Sequence, residues 1–434
     1  MTNPYQSPRE PDGQRLPSSA GQLEPLYGWL MVPLAALGMI ATLPGRTHGL
    51  GMITERLLAD PRLSFDRVAF GRMNFWATLI GALFCLATGP LIDRFGSRRV
   101  MFGVVVLLGA TVLSMCHVSG WLPFFVLLTL TRGLGQSALS VVSLTLVGKW
   151  FRQKLSVAMG AYSVLVAIGF MTAFGVYRNL HELPWTTVWS SMGWTLLALV
   201  APLTWLLVRD GSLVGWAAPT NSTNDSTLLE AVSTPAFWVF GLATSIYGLI
   251  AAGTSLFNES LLTERGFPPN AFYEVAKIGA FVGMAANFIG GWLARGRFLR
   301  TVTAAALVVL AISLALLPQV TQHWQLVLYA IGMGASGGVV TVVFFTVWGR
   351  LYGQANLGRI QGVAQMLTVF ASAAGPQLMA EWHARTGSYV GLLYWLAAAV
   401  GVLCLAVAVT PLPQAKTATA ENRSFVAEPA VAGD

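Results

Sequence analysis

The sequence predicts an all-α membrane protein: twelve transmembrane helices arranged as two pseudo-symmetric six-helix bundles. Three observations carry this. The 434 residues are 55% hydrophobic and only 10% charged, against about 25% charged in a soluble domain. The apolar residues gather in twelve long runs, and about 20 such residues cross the ~30 Å hydrocarbon layer as a helix. The two halves of the chain also repeat each other. In lipid the backbone must satisfy its own polar groups, so repeated spans of this length mean a helical bundle.

The spans fall at 27–50, 68–91, 100–117, 121–148, 157–177, 185–208, 236–262, 271–294, 301–318, 323–349, 360–382 and 388–410. Residues 1–25 form a polar, Pro-rich tail, read as a cytoplasmic tail and not as a cleavable signal peptide. Bundles at 26–208 and 236–410 flank a central loop, 209–235. That loop holds the low-complexity stretch Asn221-Ser-Thr-Asn-Asp-Ser-Thr227, and a second polar tail follows at 411–434. With the termini placed in the cytoplasm, inside segments carry 16 Lys and Arg and outside loops carry 6. This bias orients the protein with both termini cytoplasmic, in an inner or plasma membrane. It also accounts for the net charge of +8 without nucleic acid as a partner. Cys85, Cys116 and Cys404 lie in apolar spans and read as small core hydrophobes. No cofactor or metal is implied. The lack of a P-loop, metal spacing or nucleophile elbow argues against an enzyme and against ATP as the driving force.

Span 1 contains Leu43-Pro44-Gly45-Arg46-Thr47-His48-Gly49. Its proline and glycines should kink or unwind the helix, and unwound backbone is tolerated only where protein or a water-filled cavity covers it. Arg46 is a candidate to pair with an anion, and His48 a candidate to titrate near neutral pH. The alternative is that Arg46 snorkels to the outer surface, ~28 Å above Tyr27 along a straight helix. In span 2, Arg72 reads as a snorkelling anchor, with Asn74 and Trp76 further in as candidate cavity liners.

Spans 2 and 3 are joined by Gly89-Pro-Leu-Ile-Asp93-Arg94-Phe-Gly96-Ser-Arg98-Arg99, an acid and three arginines within a short hairpin. Asp93 can accept hydrogen bonds from helix N-terminal amides and from cationic neighbours. The three arginines suit the anionic inner leaflet. Span 4 places Arg132, in Thr131-Arg132-Gly133-Leu134-Gly135, ~15 Å deep near the midplane. An ionisable group there costs at least ~2.5 kcal/mol and tends to mark a pathway. The alternative is a structural arginine tied to carbonyls of a neighbouring helix.

The second half echoes the first. Ser143-Leu-Thr-Leu-Val-Gly148-Lys149-Trp-Phe151 matches Phe344-Phe-Thr-Val-Trp-Gly349-Arg350-Leu-Tyr352 at an offset of 201. Gly89-Pro90 matches Gly290-Gly291 at the same offset, with Ala294 standing where Asp93 stands. Thr54-Glu55-Arg56 is echoed by Asn258-Glu259-Ser260. Asn258 and Glu259 close span 7, and Glu259 is a candidate proton carrier. In span 8, Lys277 is a candidate anion ligand, and Glu274, three residues earlier on the same face, is its candidate partner. Tyr247, Asn287, Tyr329 and Gln365 are candidate neutral liners. Trp29, Trp121, Trp185 and Trp324 flank spans and read as an interfacial belt.

The hairpin at 89–99 closely resembles the loop motif of the major facilitator superfamily, and the twofold repeat of six helices agrees with its architecture. The resemblance covers residues 26–410. It implies a secondary transporter working by alternating access, with a small-molecule substrate and one chain as the functional unit. It also implies a cytoplasmic gate built from Gly89, Asp93, Arg94, Gly96, Arg98 and Arg99. Gly358-Arg-Ile-Gln-Gly362, Gly375-Pro376 and Thr386-Gly387-Ser388-Tyr389 resemble the oxalate:formate antiporter and monocarboxylate transporter branch, which implies a small organic anion, with protons as a candidate co-substrate. Two departures from known patterns matter, the first standing against a simple transfer of the anion clamp and the second against a drug exporter. Gly283 and Asn287 occupy the places of that branch's Asp and Arg clamp. Span 5, Gly160-Ala-Tyr-Ser-Val-Leu-Val-Ala-Ile-Gly169, lacks the proline of drug:proton antiporters. A carrier of neutral or amphiphilic compounds, or a receptor-like protein without flux, are the rival readings.

Overall fold

The computed structural model describes residues 26–63, 67–151, 154–178, 183–210, 225–268, 271–293 and 298–413. Span 1 is broken into pieces: α1 (Leu26–Ile40), a 3-10 turn (Leu43–Gly45), α2 (Thr47–Gly51) and α3 (Thr54–Leu58). Span 2 is α4 (Arg67–Ala82) running into α5 (Phe84–Phe95), and span 3 is α6 (Ser97–Met115). Span 4 joins α7 (Trp121–Thr131) to α8 (Ser140–Trp150) through a π-helical segment, Arg132–Leu139. Span 5 is α9 (Leu155–Arg178). Span 6 is α10 (Trp185–Thr195) and α11 (Ala201–Leu207), with π-helical Leu196–Val200 between them. A short helix, α12 (Leu228–Val232), precedes α13 (Pro235–Glu264), α14 (Ala271–Leu293), α15 (Leu299–Leu316), α16 (His323–Tyr352), α17 (Leu357–Thr386) and α18 (Val390–Val409).

Among the described residues ten helices are long and apolar enough to cross a membrane. The two spans outside that group are the first, which is fragmented, and α17, whose sequence carries Gln361, Gln365, Ser372 and Gln377. Both depart from plain hydrophobicity because they carry polar groups into the bundle: Gln361 and Gln365 are 2% and 9% exposed.

Three expectations change in detail. The hairpin at 89–99 is not a loop. α5 runs to Phe95 and α6 starts at Ser97, so Gly96 alone turns the chain, at φ 83°, where a side chain would be strained. The central loop is not wholly irregular, because Thr227 and Glu230 form a reciprocal capping box that starts α12. Trp185 does not stand in an interfacial belt. It is 4% exposed, and its indole N–H donates to Asp60 Oδ2 at 2.8 Å. Trp121 and Trp324 are exposed.

Lipid gives helices no hydrophobic reason to associate, so close approach through small residues does the work. α5 meets α17 in this way. A Cβ built on Gly89 would fall 2.6 Å from the Gly358 carbonyl oxygen, and one on Gly358 would fall 2.8 Å from the Gly89 carbonyl oxygen. Between the halves, α5 packs on α17, α9 on α14 and α16, and α8 on α17.

The polar contacts divide sharply between the two ends of the bundle. At the end bearing Gly96 and residues 352–356, here the basic face, bonds cross between halves. Gln354 Nε2 donates to the Gly148 and Phe151 carbonyls at 2.8 Å each, capping the C-terminus of α8 from the other half. At the opposite face, the bonds of Arg56 to Leu183, Asp60 to Arg62 and Trp185, Glu264 to Ser388, Arg265 to Pro318 and Glu274 to His323 each stay inside one half. The halves are therefore fastened together at the basic face.

Candidate functional site

The break in span 1 organises the site. Pro44 and the 3-10 turn end the helix, and Arg46 is extended at φ −98°, ψ 153°. Such a break frees backbone groups that need partners. Arg132 supplies them. Its Nη1 donates to the Gly45 carbonyl at 2.9 Å, to Thr47 Oγ1 at 3.3 Å and to Gln136 Oε1 at 3.2 Å. Its Nε donates to Asn74 Oδ1 at 3.1 Å, and Nη2 donates to the same oxygen. Arg132 is 1% exposed and opens the π-helical segment of span 4, a distortion frequent at functional sites. Its donors are taken up by the protein, so it ties α4, span 4 and the span 1 break together.

Arg46 is placed differently. The turn sends its side chain back into the bundle, not up to the outer surface. Its Nε donates to Thr42 Oγ1 at 2.7 Å, and Nη2 reaches Met39 Sδ at 2.8 Å and Ser140 Oγ at 3.2 Å. Its guanidinium lies 5.5 Å from the centre of the Phe170 ring. These partners are neutral and one is a weak sulfur acceptor. Arg46 is half-buried and within electrostatic range of Arg132. None of these contacts supplies a carboxylate to either guanidinium.

The other candidates scatter. Asn74 joins the cluster, but Trp76 does not. Two residues on a helix are ~200° apart, so they cannot share a face. Trp76 is 56% exposed and continues into the exposed apolar stripe of Ile80, Leu83 and Leu91, a lipid-facing row. The side chain of His48 lies outside the described residues. Tyr247 on α13 packs its hydroxyl against Gly337 of α16. Asn258 and Glu259 follow a break in α13 at Phe257 (φ −105°, ψ 17°). At the offset relating them to Thr54 and Glu55, Phe257 falls on Ile53, in the gap between α2 and α3. Spans 1 and 7 are thus broken at corresponding places, and Glu259 is exposed there.

Lys277 is exposed one turn before Phe281, which is itself 60% exposed. Glu274 pairs with His323 at 3.3 Å, because the start of α16 lies beside it; that contact replaces the expected pair with Lys277. Asn287 is half-buried between α9 and α16, and its Oδ1 accepts no hydrogen bond from the described residues. Tyr329 and Gln365 are buried.

At the basic face, Asp93 reaches across the halves. Oδ1 accepts from Lys149 Nζ at 2.9 Å. Oδ2 accepts from the Arg359 amide at 3.2 Å in the first turn of α17, with Arg359 Nε at 3.8 Å. The carboxylate thus meets both a cation and a helix N-terminus. The arginines beside it do other work. Arg98 donates to the Trp205 carbonyl at 2.8 Å and stacks on the Trp205 ring at 4.7 Å. Arg94 lies over Phe95, and Arg99 is exposed. Gly96 makes room for Asp210, whose Oδ1 accepts from the Ser97 amide at 2.6 Å. Ala294 and Arg295 lie outside the described residues. Thr42, Gln136, Ser140, Phe170, Lys149, Gln354, Arg359 and Asp210 were not singled out from the sequence. Of these, Lys149 had a signal as the basic residue closing a repeated segment, and Arg359 as part of Gly358-Arg-Ile-Gln-Gly362.

A Major Facilitator Superfamily model matches residues 62–376. The 4-hydroxybenzoate transporter PcaK of Pseudomonas putida is 29% identical over 184 residues, covering 42% of this chain and 38% of that protein. The human organic anion transporter MFSD10 (TETRAN) has a similar structure, with TM-score 0.64, 14% identity, and 88% of this chain and 97% of that chain covered. The transporter FucP in the outward conformation superposes with TM-score 0.65 at 13% identity, covering 88% and 98%. The protein belongs to the major facilitator superfamily and is a multi-pass membrane transporter, not an enzyme.

Proposed function

We propose that this secondary transporter carries a small organic anion, a mono- or dicarboxylate, by alternating access, and that the basic face is the cytoplasmic one. The observation that carries the reading is Arg46. It is a half-buried guanidinium inside the bundle with neutral partners, held at a helix break that Arg132 braces. Desolvating a charge without a counter-charge is costly, and a carboxylate from the cargo would supply one through paired N–H donors. The printed functions of two similar proteins, a 4-hydroxybenzoate transporter and an organic anion transporter, support the same class. Glu259, exposed at the break in α13, is the proposed proton carrier. With the halves fastened at the basic face, the arrangement corresponds to the outward-facing stage of the cycle. The neutral-cargo reading rests on Asn287, which stands in the place of an arginine clamp.

A thermal-shift series tests the anion reading, since a ligand that binds the folded state raises its stability. The expected result is that a carboxylate raises the melting temperature of the parent protein and not of Arg46→Gln. Stabilisation by a neutral sugar or amide in both proteins would support the neutral-cargo reading instead.

A further inference from the structure

Tyr162 is a buried group the account so far leaves idle. Its side chain is 0% exposed, and its hydroxyl makes no hydrogen bond to the described residues. A buried polar group in that condition needs an explanation. Its ring meets Phe345 of the other half edge-on, with centroids 5.3 Å apart at 77°. Each residue lies seven positions from the basic-face end of its helix, Tyr162 from Leu155 in α9 and Phe345 from Tyr352 in α16. That is ~10 Å from the basic face, so the pair forms a floor across the seam between the halves.

The same helix face reaches the anion site. Phe170, two turns above Tyr162 on α9, is the ring over which Arg46 sits. A guanidinium is a donor with no acceptor capacity, and the Tyr162 phenol has an unused O–H. Two donors are thus disposed along α9, one beside Phe170 and one two turns nearer the basic face, and an acceptor anion could use either.

Resting on the anion reading above, we infer that the Tyr162 hydroxyl is a second donor to the cargo's carboxylate, covered by Phe345 while the basic face is shut and uncovered when the halves rock open there. The cargo then gains a partner on the basic-face side that it lacks on the opposite side. Tyr162 is a specificity-determining residue acting in one half of the cycle.

Tyr162→Phe tests this, because it removes the hydroxyl and keeps the ring against Phe345. Half-saturation is measured from both sides, in whole cells and in everted vesicles, with labelled benzoate, 4-hydroxybenzoate, lactate and oxalate. From the basic-face side it is expected to rise about tenfold, the worth of one hydrogen bond to a charged acceptor. From the opposite side it should stay within about twofold. The melting temperature without cargo should hold or rise, since an unpartnered hydroxyl has been removed, and a purely structural role would lower it. Phe345→Ala should lower half-saturation from the opposite side in the parent but not in the Tyr162→Phe background. Equal half-saturation for parent and Tyr162→Phe on both sides, with Arg46→Gln still defective, overturns this inference alone. Saturable transport of none of the four acids overturns the anion reading and this inference with it.

Discussion

Replacing Asp93 with asparagine keeps the shape of the latch and removes its charge. In the structure the Asp93 side chain is 7% exposed and holds Lys149 at 2.9 Å and the first turn of α17 at 3.2 Å. Hydrogen bonds to charged groups contribute about 1.5–3 kcal/mol. Asparagine retains an acceptor for the Arg359 amide. It loses the negative charge that strengthens that bond and attracts the Arg359 guanidinium, whose Nε lies 3.8 Å away; the Lys149 pair lies within the first half and does not join the halves. The closed arrangement should therefore lose about 1 kcal/mol, roughly fivefold in its ratio to the open one. Spin labels at Arg99→Cys and Leu229→Cys report this directly. Arg99 is exposed on the first half, Leu229 is 75% exposed on α12, and the three native cysteines are replaced. Pulsed electron resonance should show a longer-distance population growing in Asp93→Asn. An unchanged distance distribution in a folded variant would refute the reasoning, because Asp93 would then not hold the halves together.

Other consequences follow from the same geometry. Arg132→Ala orphans the Gly45 carbonyl and Asn74, so it should destabilise the protein by about 2–4 kcal/mol, read as a lower melting temperature and lost transport. Unchanged stability would show that Arg132 does not brace the span 1 break. Gly89→Leu forces a side chain into the α17 backbone at a site where even a Cβ falls 2.6 Å from an oxygen. The same labels should again report an opened basic face. At the opposite face, the Arg62 guanidinium hydrogen-bonded to Asp60 holds its carboxyl well below the usual carboxylate range. A depressed carboxylate stabilises above its unfolded value, about 3.9, and loses that contribution as pH falls toward its folded value. The melting-temperature gap between the parent and Asp60→Asn should thus be flat from about pH 5 to 8 and shrink in stronger acid. A gap that varies across the neutral range would contradict this assignment.

How far the sequence reached depends on which interactions are local. Span number, the break in span 1 and the hairpin follow from composition and from proline and glycine, which act on their own neighbours. The partners of Asp93 and Arg132 depend on which helices pack together, and only the residue types capable of such bonds were readable. Trp76 was misplaced by treating two residues 200° apart as neighbours. Glu274 was given a partner from its own helix, while His323 on α16 lay nearer. Tyr162 left no signal at all. In a span of apolar and small residues it reads as core, and its significance rests on Phe345, 183 positions away in sequence. The π-helical turn at Arg132 was equally silent, since helical periodicity does not register one inserted residue.

The central claim is that Arg46 meets an anionic cargo, and uptake into proteoliposomes tests it most directly. Purified parent protein should accumulate a labelled carboxylate such as 4-hydroxybenzoate under an imposed proton gradient. Arg46→Gln should insert and melt like the parent yet lose uptake by about tenfold or more, while Arg46→Lys recovers part of it. Full uptake by a folded Arg46→Gln protein would contradict the account.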